Sequence, residues 1–216
     1  MRRRPKPVDA GCAELAAKKT SVFINCPFDA DYKTFFEAIV FTVIKCGYQP
    51  RCALEVVDSS GTRISKIETI IEECPLGIHD ISRTELDAEN NLPRFNMPLE
   101  LGLFLGAKRF GDPKQKRKRC IVLDKEQYRY QKFMSDIAGQ DIEGHGGNIE
   151  VLIGKVRSFL NNAKRGAPLP SGAAIFEAYQ KFQEELPDIC TRLEIKSDGL
   201  EFKDLVWVVG EWVKVG

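Results

Sequence analysis

Short segments rich in β-branched residues alternate along this chain with longer segments whose apolar residues recur every three to four positions. The first pair is the apolar segment SVFIN, residues 21–25, followed by a helical stripe that Gly47 ends. Such alternation is typical of α/β proteins with a parallel, doubly wound sheet. We therefore predict four to five parallel strands with helices on both faces, and a ligand site at the carboxyl ends of the strands.

The same patterns place the individual elements. Strands are predicted at residues 21–25, 48–54, 76–81 and 120–124, with a weaker one at 141–143. Helices are predicted at residues 32–46, 64–74, 98–108, 127–139 and 149–160. Pro50 places the second strand near a sheet edge, and Asn148 is the expected cap of the last of these helices.

Changes in composition divide the chain into three parts. Residues 1–19 are basic and contain proline, which predicts a flexible lead, and residues 20–165 hold the α/β pattern. After the turn-forming segment GAPLPSG the pattern becomes helical only. Residues 171–216 are therefore predicted to form a C-terminal helical appendage.

Charge and cysteine content limit the possible classes of protein. The formal net charge of +1 gives no overall attraction to nucleic acid. The basic run KQKRKR is interpreted as a solvent-exposed connection between a helix and a strand. Seven cysteines without a CxxC pair indicate a reducing cytoplasm and no structural metal site. Because no run of about 20 apolar residues is present, we expect a soluble protein that spans no membrane.

Glu100 is the most informative charged residue, because it stands at the start of an almost wholly apolar helical segment, MPLELGLFLGA. With Asn96 or Met97 as the capping residue, Glu100 would lie in the first helical turn. One interpretation of Glu100 is therefore a capping interaction or a favourable contact with the helix dipole. The other is a catalytic carboxylate, because an ionised and poorly hydrated carboxylate is a good nucleophile toward a sugar anomeric carbon. Both interpretations remain open from the residues alone.

Three other acidic or histidine residues lie at predicted strand ends. Asp80 ends the third strand, where it either contacts a base or ribose or caps the turn that follows. Asp29 follows the first strand, and a cap of the next helix is its favoured role over ligand contact. His79 is predicted to be a packed strand residue pointing away from Asp80.

The segments VFINCPFD, GIHDIS and NMPLELGLFLGA, in this order, resemble the nucleoside 2-deoxyribosyltransferase-like superfamily and the related bacterial TIR-like domains. The resemblance spans residues 22–123 and implies a flavodoxin-like (Rossmann-like) sheet. It assigns Glu100 as the catalytic glutamate, Pro27 and Phe28 as the first ligand loop, and Asp80 as the acidic strand-end position. Homo-oligomers are common among such proteins.

The chain departs from the transferase pattern at two places. Cys26 stands where a glycine is expected, and the residues before Glu100 include Arg94 and Asn96 where a further acidic residue is usual. These differences widen the possible substrates to nucleotides or NAD, with nicotinamide as the leaving group. Arg83 and Arg94 suit a phosphorylated ligand.

Two functions are therefore predicted as alternatives. The first is an N-glycosidase or ribosyl- or deoxyribosyltransferase acting on a nucleoside, nucleotide or NAD, with no required cofactor. Its site residues are Glu100 as the catalytic group and, for substrate binding, Pro27, Phe28, Asp29, Asp80, Arg83, Arg94 and Asn96. The second is a non-catalytic module that senses a nucleotide or binds other proteins through the same fold.

Overall fold

A computed structural model describes residues 19–84, 91 and 95–215 of the chain. Five strands form one sheet in which every neighbouring pair is parallel, in the order β2-β1-β3-β4-β5. The strands are β1 (Ser21–Asn25), β2 (Gln49–Arg51), β3 (Leu76–Asp80), β4 (Arg119–Asp124) and β5 (Ile142–Gly144). This confirms the predicted α/β fold, and the strand order is that of flavodoxin-like proteins.

Helices cover both faces of the sheet. They are α1 (Lys33–Lys45), α2 (Arg63–Glu73), α3 (Asn96–Phe110), α4 (Ile149–Ala163), α5 (Gly172–Arg192) and α6 (Phe202–Val215). The α1 and α4 helices share a core with Ile24, Ile78 and Leu123, whereas α2 and α3 enclose Phe23 on the opposite face. Successive residues of β1 thus enter different cores, as the alternation of side chains along a strand requires.

The structure contradicts the helix predicted at residues 127–139. Only two short 3-10 segments form there, Arg129–Lys132 and Ser135–Ile137, and Tyr128 before them has a left-handed backbone with φ of 68°. Tyr130, Phe133 and Ile137 pack against one small core beside β4 and β5. The apolar spacing that suggested a helix is therefore satisfied by two separate turns over the sheet.

The second strand is shorter than predicted. Residues 48–54 carry a strand pattern, but only Gln49–Arg51 pair with β1. The strand is the edge of the sheet, where the missing N–H of Pro50 is tolerated.

The C-terminal helices form a second helical layer. Their buried side chains, including Tyr179, Phe182, Leu205 and Val209, belong to the same core as α1 and α4. Phe182 and Trp212 both pack against Phe41 of α1, with ring centroids 5.4 and 5.7 Å apart. None of the helices that the structure describes is long and apolar enough to cross a membrane.

Candidate functional site

The segments that leave the strands converge around Cys26, the first residue after β1. Its thiol is buried, and burial raises its pKa well above the usual range, helped by the nearby charges of Asp80, Glu100 and Asp29. Cys52, which follows β2, acts on the same thiol. The exits of β1, β2 and β3 therefore meet the start of α3 at one end of the sheet, and the raised pKa of the Cys26 thiol disfavours the reactive thiolate.

Glu100 does not cap its helix. The α3 helix begins at Asn96 rather than near Pro98, so Glu100 is its fifth residue, and the first turn contains no acidic residue. Phe95 occupies the cap position without a side-chain hydrogen bond, and Asn96 is an exposed first-turn residue. The prediction that Asn96 or Met97 is the N-cap is therefore wrong. Because the helix begins two residues earlier than predicted, Glu100 lies beyond the positions whose N–H groups are unpaired.

The carboxyl of Glu100 is buried, with 5% of the residue exposed. Burial raises its pKa from 4.5 to about 7, and the opposing effect of Arg63 is smaller. Within the described part of the chain, no residue donates a hydrogen bond or forms an ion pair to it. A buried carboxyl without such compensation is costly to ionise, and pKa values displaced in this way are frequent at functional sites.

Asp80 is fully buried at the end of β3 and joins three segments. One carboxylate oxygen, Oδ1, accepts the backbone N–H of Ser82 at 2.8 Å, and Oδ2 accepts the Tyr32 hydroxyl at 2.5 Å. His145 Nε2 lies 3.2 Å from Oδ2, a close polar contact rather than an aligned hydrogen bond. The predicted turn-capping role is thus present, and any direct contact of Asp80 with a ligand would displace one of these groups.

His145 was not identified from the sequence. It is the first residue after β5, in the segment GHGGN, and its Nδ1 accepts the backbone N–H of Gly147 at 3.1 Å. Its ring packs 5.3 Å from that of Phe35. The only signal available was its position after the weakest predicted strand, whose exit must join the others in a parallel sheet.

Asn25 is a second residue that the sequence did not reveal. Its side-chain amide donates to the Met97 carbonyl at 2.9 Å and lies 3.0 Å from His79 Nδ1. Burial lowers the pKa of His79 to about 3, so its ring is neutral and packs between Phe23 and Phe104, as predicted for a strand residue. Asn25 therefore connects β1 and β3 to the first turn of α3, the helix that carries Glu100.

The remaining predicted binding residues lie mainly in the loop after β1. Pro27 is buried, Phe28 is half-buried, and Asp29 caps the following turn by accepting the Tyr32 N–H at 3.1 Å. The guanidinium of Arg83, half-exposed after β3, lies 3.3 Å from Asp29 and 3.4 Å from Asp31. Arg94 lies outside the described residues.

Two further features of the described chain are its possible metal ligands and a groove away from the strand exits. No group of three His, Cys, Asp or Glu residues among the described positions could hold a metal ion. A groove of about 630 Å³ between α5 and α6 is lined by Trp207, Glu185 and neighbouring residues of these helices. It involves none of the strand exits.

Comparison of the chain with protein-family models, with curated proteins and with solved structures found no match. The family resemblance therefore stays a prediction from the three sequence segments.

Proposed function

We propose that the protein cleaves the glycosidic bond of a nucleoside, a nucleotide or NAD, as an N-glycosidase or a ribosyl- or deoxyribosyltransferase. One observation carries the proposal: the Glu100 carboxyl is buried, without a hydrogen-bond donor among the described residues, where three strand exits meet α3. A structural glutamate is normally compensated by a donor or a cation. An uncompensated one is available to a substrate.

The chemistry assigned to Glu100 is attack on the anomeric carbon. The ionised carboxylate forms a C–O bond as the C–N bond breaks, and the bonding electrons leave with the base. The base of a nucleoside or nucleotide takes a proton from solvent, whereas nicotinamide leaves NAD as a neutral molecule and needs none. Water or a second nucleophile then displaces the glutamate, giving hydrolysis or transfer. If no ester forms, the same negative charge stabilises an oxocarbenium-like transition state.

Supporting roles are proposed for the other residues. Phe28 offers a half-buried aromatic face for a base, and Arg83 and Asn96 offer polar contacts to ribose or phosphate. The same role is proposed for Arg94 from the sequence alone. Asp80 holds the surrounding exits together. No cofactor is required, and NAD enters only as a substrate.

The setting proposed for this activity is the cytoplasm. All six cysteines in the described ranges are free, and most of them are buried. A homo-oligomer is proposed from the family resemblance alone.

The activity is tested by incubating the purified protein with NAD and a panel of nucleosides and nucleotides, and following base release by chromatography. We expect one class of substrate to release its base, and Glu100→Gln to lower the rate at least about 100-fold. Glu185→Gln is the control, because Glu185 is also a helical glutamate but is paired with Lys181 and accepts the indole N–H of Trp212. Equal rates for wild type and Glu100→Gln would exclude the proposal. Nucleotide binding without base release would instead favour the alternative function, a non-catalytic module that senses a nucleotide.

The rate of base release is expected to rise with pH. The nucleophile must be ionised, and the pKa of Glu100 is raised to about 7, so the rate should reach half its maximum near that pH. The pH dependence of kcat/KM in the free enzyme measures this ionisation. A rate independent of pH between about 5 and 8 would show that Glu100 does not titrate in the reaction.

A further inference from the structure

Two side chains of α5 contact the beginning of α1, at Thr34 in its first turn and at Glu37 just after that turn. The Tyr179 hydroxyl donates to the carbonyl of Thr34 at 3.0 Å, and the Gln183 amide donates to Glu37 Oε2 at 3.1 Å. The same amide donates to the Tyr179 oxygen at 3.0 Å, so the two side chains act together. Tyr179 is buried and its ring also packs edge-on against Phe41.

Two further contacts come from the segment that follows α5. The carbonyl of Ser197 accepts the Lys33 ammonium at 3.4 Å. Phe202, the first residue of α6, packs its ring against that of Phe36 with centroids 6.0 Å apart. We call Tyr179, Gln183, Ser197 and Phe202 the first-turn clamp, because together they contact Lys33, Thr34, Phe36 and Glu37 of α1.

The turn held by the clamp directly follows the loop after β1, residues 26–32. Phe36 packs edge-on against Phe28 of that loop, with centroids 5.3 Å apart. Tyr32 immediately precedes α1 and donates its hydroxyl to Asp80. A shift of the first turn of α1 would therefore move both Phe28 and the donor that holds Asp80.

We propose that the C-terminal helices are a positioning element for the candidate site, acting through the first-turn clamp on the loop of residues 26–32. Phe202 and Tyr179 are positioning residues, since they act on the loop through the residues of α1 that they contact. The inference relies on the proposed function in one respect, which is the assignment of Phe28 as a contact for the substrate base. The positioning of the loop itself can be measured without any substrate.

The hydroxyl contact is tested by comparing Tyr179→Phe with Tyr48→Phe. Each change removes one buried hydroxyl that donates to a helix carbonyl at 3.0 Å, but the Tyr48 hydroxyl bonds Leu160 of α4. We expect Tyr179→Phe to accelerate hydrogen exchange of the amides of residues 26–33 at least about threefold. Tyr48→Phe should leave these amides unchanged.

The ring contact is tested by comparing Phe202→Ala with Leu205→Ala. Both side chains are buried on α6 and both truncations are expected to lower stability, so the pair controls for loss of packing. Only Phe202→Ala should accelerate exchange in residues 26–33. In the base-release assay it should raise KM about fivefold with kcat within about twofold, and Phe202→Leu should restore part of the difference.

Each outcome decides one of the two proposals. If Tyr179→Phe and Phe202→Ala do not differ from their controls in exchange, the C-terminal helices do not position the loop, and the inference is wrong. If hydrogen exchange is accelerated but no substrate releases its base, the C-terminal helices position the loop and the proposed glycosidase activity is wrong. If exchange responds and KM does not, Phe28 does not contact the substrate.

Discussion

Replacing Glu100 by glutamine is expected to stabilise the folded protein at about pH 8 while it removes activity. The carboxyl is buried and its pKa is raised from 4.5 to about 7, so between these two pH values the folded state retains a proton that the unfolded chain has lost. Stability should therefore fall as pH rises from about 4.5 to about 7 and remain low above that range. Glutamine is nearly isosteric and uncharged, and should recover about 1–3 kcal/mol at the higher pH.

The measurement is equilibrium urea unfolding of wild type and Glu100→Gln at about pH 4.5 and about pH 8. The two proteins should have similar midpoints at the lower pH and different ones at the higher pH. Glu37→Gln serves as the control, because this carboxylate accepts a hydrogen bond from Gln183 and should show no such gain. A loss of stability in Glu100→Gln at about pH 8 would mean that the charged carboxylate is compensated, and would remove the main support for its catalytic role.

Much of the fold could be predicted from the sequence, because the spacing of apolar residues and the residues that begin and end helices are local features of the chain. Gly47, with φ of 84°, ends the first helix where a left-handed residue is needed, and Thr62 and Asn148 cap helices with their own side chains. The helix prediction for residues 127–139 was wrong because the same apolar spacing suits a helix and two turns packed on a sheet. Only tertiary contacts distinguish these arrangements.

The candidate site was partly predictable for a different reason. Parallel strands bring their carboxyl ends together, so Glu100, Asp80 and the loop after β1 could be assigned to one end of the sheet before their distances were known. His145 and Asn25 could not, because their roles depend on which side chains face them across the fold. Whether Asp80 binds a ligand directly also depends on the partners of its two carboxylate oxygens. The spacing of residues along the chain does not reveal those partners.

Asp80→Asn is expected to lower the free energy of unfolding by about 2–4 kcal/mol. Donors reach both oxygens, the Ser82 N–H at Oδ1 and the Tyr32 hydroxyl at Oδ2, and His145 Nε2 lies 3.2 Å from Oδ2. An asparagine side chain accepts through one oxygen only, so its NH₂ group must face a donor on one side or the other. The measurement is urea unfolding at neutral pH.

A double-mutant cycle with Tyr32→Phe separates this conflict from a general loss of charge. Removing the Tyr32 hydroxyl frees one side of the site, so Asp80→Asn should cost about 1–2 kcal/mol less in that background. Simple additivity in the cycle would show that the amide of Asp80→Asn does not oppose the Tyr32 hydroxyl, and would return Asp80 to the residues available for ligand binding.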